Sequence, residues 1–571
     1  MRRFTTLLAV LMFGALPLCA APQQPATALD QVLDRIVAQE KDEVKMIRGY
    51  SPLVETYVQL LAPDKNLGTI PDGDKYFLGR AKLENGVQLV SLANGEGNGS
   101  GKKGFLGGLF SSSMEFIPEG FLQMVFLDTD GFDRQHYQFD YVRREFLGEV
   151  RCLVFDVTPK SKTETGRFAG RIWVEDQDFH IVRFNGAYSG STRGNLYFHF
   201  DSWRVNADKG NWLPAFVYSE ESEIKFSLSK KVQFKAQTRL WGYNLGQARQ
   251  EQELSKILVE ADAPIKDQST AAQDISPLQA QRSWDRQAED NVVDRMERLG
   301  LMAPQGEVDK VLETVVNNLE VTNNLDVQPE VRCRVVMTST LEAFTIGHTI
   351  VLSRGLVDVL PDEASLAVVI SNELSHIVLG HRVDTQYAFF DRMLFNDQDT
   401  FHHFGFARTA DEQQAANAKA AELLNNSPYK DQLATAQKFV QALQARSAQI
   451  PNLISPHLGN GVLTSWSHAP QATPAQPAPP QTTAAAPTTT PDPNEIVALP
   501  LGGRIKLDPW DDSLAMLKSK PVGAVAEREK MPFEVTPFIL FLTRDSAALT
   551  TPGAVSAQSQ TEPTSSPTQS R

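Results

Sequence analysis

The chain is poor in cysteine, with three in 571 residues: Cys19, Cys152 and Cys333. That excludes a Cys-rich metal centre and a disulfide-stapled scaffold. Beyond the N-terminus there is no apolar run long enough to span a bilayer as a helix. Basic patches are missing too. With a net charge of −14, this argues against nucleic acid or an anionic membrane as partner. No internal repeat is found. The apolar fraction is ordinary, and the length suits two or three domains, each with ample core.

The first twenty residues read as a signal peptide. Arg2 and Arg3 precede an apolar stretch from Thr6 to Leu18, and Ala20 offers a cleavage site that Pro22 denies to Ala21. Leu18 stands before Cys19 where a lipid-attachment site takes a small residue, so a lipid anchor is not expected. The expected location is the periplasm or the extracellular medium, with a soluble mature chain. Cys152 and Cys333 would then remain in different domains as buried free thiols.

Along the chain, Leu29, Val32, Leu33, Ile36 and Val37 recur at helical spacing and predict a helix over about 28–62. Gly95 to Ser113 is dense in Gly and Ser and reads as a loop. From Phe116 to Phe226 short β-branched and aromatic runs predict strands: 150–157, 170–174, 181–184 and 195–200. Short turns between them imply an antiparallel meander, curved or closed. Helices are predicted over 276–325, 362–381, 410–425 and 430–446, and a strand over 346–353. The fold class expected is α+β multidomain: a β-rich, half-barrel-like N-terminal domain over 28–270 and a mainly α-helical domain over 276–465. A Pro/Ala/Thr linker (469–494), a C-terminal cassette (495–544) and a disordered tail (547–571) complete the chain.

Arg167-Phe168-Ala169-Gly170-Arg171-Ile172-Trp173-Val174-Glu175-Asp176, followed by Phe179-His180-Ile181-Val182-Arg183, resembles the outer-membrane lipoprotein carrier and sorting proteins. Their half-open barrel implies a cavity here for a lipid, an acyl chain or a peptide. The aromatic residues, Trp173, Trp203 and Trp212 among them, equally read as filling for a β core, and both readings stay open.

The densest chemical signal is Asn372-Glu373-Leu374-Ser375-His376. The zinc-protease motif H-E-x-x-H sets two histidines at i and i+4, so that both reach one metal from one helix face, while the glutamate polarises the metal-bound water. Here Glu373 and His376 are in register, and Asn372 holds the first ligand position. The surrounding order is wider. Glu342-Ala343-Phe344, Ile350-Val351-Leu352-Ser353-Arg354-Gly355-Leu356 and Asp362-Glu363 precede the motif. Over roughly 308–446 this resembles the gluzincin family of type I CAAX prenyl proteases, the bacterial heat-shock membrane protease and periplasmic chaperone-proteases.

That resemblance implies zinc, a polypeptide substrate, Glu373 as general base and His376 as ligand. It places Gln413 at the third-ligand position, Asn417 at an accompanying aspartate, Glu342 at a substrate-strand asparagine, and Ala343, Phe344 and His457 in the substrate cleft. Arg504 joins them if the linker is an insertion. Glu412 becomes a ligand only under a shifted register. Neutral amide oxygens at Asn372 and Gln413 are poor zinc donors. His381, five residues past His376, is expected on another helix face. His348, His402 and His403 are the remaining imidazoles for a rebuilt site. Two functions follow: a zinc endopeptidase, or a non-catalytic chain keeping a peptide-binding cleft, with residue chemistry favouring the second. No oligomeric state is implied.

Overall fold

The computed structural model describes residues 28–65, 68–92, 116–128, 131–161, 163–190, 197–208, 211–225, 231–243, 277–381, 405–465, 498–499, 501–502, 504–507, 512–516, 533–537 and 540–544. The expected signal peptide, 95–113 loop, 469–494 linker and 547–571 tail fall outside the described residues.

Helix α1 (Ala28–Arg48) stops fourteen residues short of the expected end, at Gly49. Gly49 and Pro52 break it, and Val54, Thr56 and Val58 then favour extended backbone. The chain continues as β1 (Leu53–Asp64), β2 (Gly68–Lys82) and β3 (Gln88–Ser91), then a short helix α2 (Pro118–Gln123). Next come β4 (Tyr137–Leu147), β5 (Val150–Pro159), β6 (Phe168–Glu175), β7 (Ile181–Tyr188), β8 (Phe200–Asp208), β9 (Asn211–Lys225) and β10 (Lys231–Trp241). The strand expected from 195 begins only at Phe200. The ten strands make one antiparallel sheet in the order β3-β2-β1-β10-β9-β8-β7-β6-β5-β4. Its two ends do not pair, so it is open.

Strand periodicity gives the sheet two apolar faces. Val54, Val58, Phe155, Phe184, Phe200 and Phe234 face one way and are covered by Leu33, Ile36 and Ile47 of α1 and Phe121 and Leu122 of α2. Phe116, Phe121, Phe198 and Phe234 pack on one another here, the closest centroids 4.7 Å apart. Arg204 fastens α1 to this face, donating both Nη atoms to Glu40 at 2.6 and 2.8 Å, with both residues buried. Leu53, Tyr57, Trp173, Trp203 and Trp241 point the other way, into a core shared with the helical region. Arg183 stacks on Trp173 and Trp203, 4.3 Å from each ring.

The helical region opens with α3 (Pro277–Arg298) and α4 (Glu307–Thr322), helical as expected over 276–325 and separated at Gly300, Pro304 and Gly306. The expected strand at 346–353 is a hairpin of β12 (Glu342–Ile346) and β13 (Thr349–Ser353), following β11 (Arg332–Val336). After α5 (Arg354–Val359) come α6 (Glu363–Val378), α7 (Ala410–Asn425), α8 (Leu433–Arg446), α9 (Pro451–Ile454) and β14 (Asn460–Gly461). The small sheet runs β11-β13-β12-β14. Cys152 and Cys333 are buried and unpaired. Among the described residues no helix is long and apolar enough to cross a membrane.

Polar groups buried at the seam fix the ten-stranded sheet to the helical region. Glu55 of β1 accepts Ser339 N and Oγ at 2.6 Å each, Tyr76 Oη at 2.9 Å and Arg354 Nη2 at 3.1 Å. Asp74 of β2 accepts Tyr57 Oη and the backbone N–H groups of Asn452 and Leu453. The C-terminal cassette returns to the sheet. Gln59 donates to Phe533 O and accepts from Val535 N, and Glu149 N donates to Leu542 O.

Candidate metal centre

Helix α6 carries the site. Asp362 caps it, accepting Ser365 N at 2.8 Å. The helix is buried almost all round, as a helix through a core is, and Asn372, Glu373 and His376 are all buried. Its C-terminus is a Schellman turn: Gly380 takes φ 71°, its N–H donates to Ile377 O, and His381 N donates to His376 O. The turn folds His381 back, so that the two Nδ1 atoms lie 2.9 Å apart. The separate faces expected from helical spacing are thereby corrected, because His381 is no longer in the helix.

Helix α7 faces α6. Thr409 and Glu412 form a capping box: Glu412 N donates to Thr409 Oγ1, and Glu412 Oε2 accepts Thr409 N at 3.0 Å. Glu412 is therefore engaged at the exposed helix start, and Gln413 is the residue that turns inward. Gln413 Nε2 donates to Asn372 Oδ1 and to Asn417 Oδ1, both at 3.0 Å. Asn372 Nδ2 donates to Asn417 Oδ1 at 2.7 Å, and Asn460 Nδ2 donates to Gln413 Oε1 at 2.9 Å. Asn372, Gln413 and Asn417 close a ring, and Asn460 joins it through Gln413.

The remaining groups are a carboxyl, an arginine and a ring nitrogen. Burial pushes the Glu373 carboxyl up, from 4.5 to about 7, and nearby Arg408 only partly offsets it. Arg408 donates to Thr345 Oγ1, and its own pKa is lowered by burial. His376 is pushed down to about 4 by burial and then by Arg408 and His381. Its Nε2 is buried with no hydrogen-bond partner among the described residues. Gln413 lies beside that ring and acts on it in the opposite direction, favouring the protonated form, while its Nε2 donates to Asn372 and Asn417.

These residues do not fit zinc. A catalytic site takes three protein donors and one open position. Among the described residues, His376 Nε2 is a buried nitrogen with no hydrogen-bond partner. The oxygens of Asn372 and Gln413 already accept hydrogen bonds inside the amide ring. No group of three or more His, Cys, Asp or Glu converges among the described residues. His348 is paired with Glu289 at 3.1 Å, and His402 and His403 lie outside the described residues.

The expected cleft residues are placed differently from one another. Ala343 and Phe344 are buried, and Phe344 stacks on Phe406 with parallel rings 4.7 Å apart. His457 stacks on Tyr76 of the large sheet at 4.9 Å. Arg504 does not face the cleft. It donates to the carbonyls of Leu360 and Pro361, before the start of α6, and Glu373 lies about 16 Å further along that helix. Arg408 and Asn460 were not anticipated. The capping-box pattern Thr409 to Glu412 marks the helix start beside Arg408, but nothing local reveals what that arginine faces.

The helix, the hairpin before it and α7 facing it lie in one stretch of chain that a known family covers. Residues 303–452 match Peptidase family M48, so the chain carries an M48 domain. No curated protein matches the chain significantly. Two solved structures are similar to part of it. A LolA superfamily protein from Nitrosomonas europaea is 11% identical with a TM-score of 0.17, covering 36% of this chain and 94% of that one. An outer membrane lipoprotein-sorting protein domain from Vibrio parahaemolyticus is 13% identical with a TM-score of 0.18, covering 36% and 89%.

Glu373 gives a pH signature. Below pH 4.5 its carboxyl is protonated in folded and unfolded chains alike. Between 4.5 and about 7 the folded chain holds a proton that the unfolded chain has released, so stability falls as pH rises. The loss is roughly 3 kcal/mol above pH 7. Glu373→Gln is expected to raise the urea midpoint at pH 8 and barely move it at pH 4.5. An unchanged midpoint at pH 8 would contradict the burial argument. His376 works in the opposite direction: from 6.5 down to about 4 the unfolded chain takes a proton the fold refuses.

Proposed function

We propose that this chain is an exported cell-envelope protein whose M48 domain is catalytically silent, or nearly so, and engages polypeptides without hydrolysing them. The observation carrying this reading is the closed amide ring. Asn372, Gln413 and Asn417 bond one another, with Asn460 on Gln413, where a peptidase of this family presents ligands to a metal. Such a ring is a well-satisfied polar core, and opening it leaves buried donors and acceptors unpaired. Export rests on the Arg2-Arg3 start and the apolar 6–18 run.

The second reading is a zinc endopeptidase of envelope proteins, with Glu373 as general base, His376 as ligand and weak help from Asn372 and Gln413. Two features favour it: the free Nε2 of His376 and a Glu373 carboxyl near neutrality. A casein proteolysis assay separates the two. The silent reading expects no cleavage above the level of Glu373→Gln, and no effect of a chelator. Cleavage lost in Glu373→Gln and on chelation supports the endopeptidase.

A further inference from the structure

The strand β12 that would receive an extended polypeptide is covered by the chain itself. β14 pairs along it, with Glu342 opposite Gly461 and Ala343 opposite Asn460. Glu342 Oε2 accepts the backbone N–H groups of His457, Leu458 and Gly459, at 3.0, 2.8 and 3.3 Å. Phe406 N donates to Leu458 O, which layers a second segment over the first. Gly459 permits the approach, since a Cβ there would lie 2.7 Å from Phe344 Cβ and 2.8 Å from Ala343 O.

The other end of this cover is held by the large N-terminal sheet. Asp74 accepts Asn452 N, Asn452 Nδ2 and Leu453 N at 3.0, 2.8 and 2.9 Å, and the Asp74 carbonyl accepts Asn452 Nδ2 at 3.0 Å. Tyr76, two residues on, stacks on His457 and donates to Glu55. Thus β2 grips residues 452–457, and the next four residues close β12.

We propose that the N-terminal sheet is a latch: through Asp74 and Tyr76 it holds residues 452–461 shut over β12, and releasing that grip exposes the strand edge to an extended polypeptide. The exposed edge would bind by strand addition, with main-chain hydrogen bonds supplying affinity. The proposal rests on the polypeptide-binding reading above for its ligand, but not for its mechanics.

Two readouts on the full chain test it. In Asp74→Ala, amide exchange across 450–462 is expected to rise about tenfold or more while peptides from α6 stay unchanged, because several hydrogen bonds lose their acceptor. Gly459→Ala is expected to do the same from the other side. Labelled casein should bind both variants about tenfold more tightly than the parent. Exchange that is unchanged at 450–462, or that rises equally throughout α6, overturns the latch. A staple gives an answer even if these variants fold poorly. Ala343→Cys with Asn460→Cys places two thiols on directly opposed residues, within disulfide reach. Casein bound equally well by oxidised and reduced forms overturns the latch; binding confined to the reduced form supports it. If exchange shows release and casein binds no variant, the latch stands and the polypeptide-binding reading fails.

Discussion

Asn372→His combined with Gln413→Glu is expected to give the chain a zinc affinity at least about 100-fold above that of the parent, because even one outer partner of a metal site is worth 10–100-fold. The scaffold is prepared for it. His376 already presents a buried, unpartnered Nε2, and Gln413 already points from α7 toward Asn372 on α6. The new carboxylate can still accept from Asn460, which now donates to Gln413 Oε1. Neither single substitution is expected to suffice, since each leaves only two good donors. Isothermal titration with zinc, at a pH above 7 so that the imidazoles are neutral, gives the answer. A double variant that binds no better than the parent would mean that the ring cannot open, and the amides would then be more than substituted ligands.

Arg354→Met is expected to destabilise the chain by about 3–5 kcal/mol, the usual cost of stranding one partner of a buried ion pair. Arg354 and Glu55 are each only 2% exposed along their side chains, and Glu55 belongs to the large sheet while Arg354 opens α5 of the M48 domain. Ser339 and Tyr76 still donate to Glu55 in the variant, so the lower end of that range is the better expectation. Urea unfolding of the purified chain measures it. A loss under about 1 kcal/mol would show the seam to be hydrated and the two parts weakly joined.

What was legible in the sequence, and what was not, divides by range. Helix α7 was read to the residue, because Thr409, Glu412 and an uninterrupted helical composition are local signals. The alternation of Val54, Thr56 and Val58 was just as local, yet it was overrun by extending α1 through Gly49 and Pro52. The 346–353 strand was half of a hairpin whose other half, Glu342–Ile346, had been seen only as a resemblance. The motif itself showed that Asn372 and Gln413 were changed. It could not show that they had found each other, since their bond joins residues 41 apart in sequence. His381 was misjudged because an ideal helix was extended through Gly380, where the chain turns. Arg408 and the grip of Asp74 on residues 452–453 join segments far apart in sequence, and no spacing rule reaches that far.

The M48 domain thus joins a bonded set of amides at the expected ligand positions to an edge strand paired by its own chain. The most direct measurement of that account is the metal content of the full-length chain, purified without added metal or chelator and read by mass spectrometry. A catalytic site of this kind holds one zinc on three protein donors, so a chain with these amides should carry well under about 0.1 zinc, and a value near one per chain would show an intact metal site.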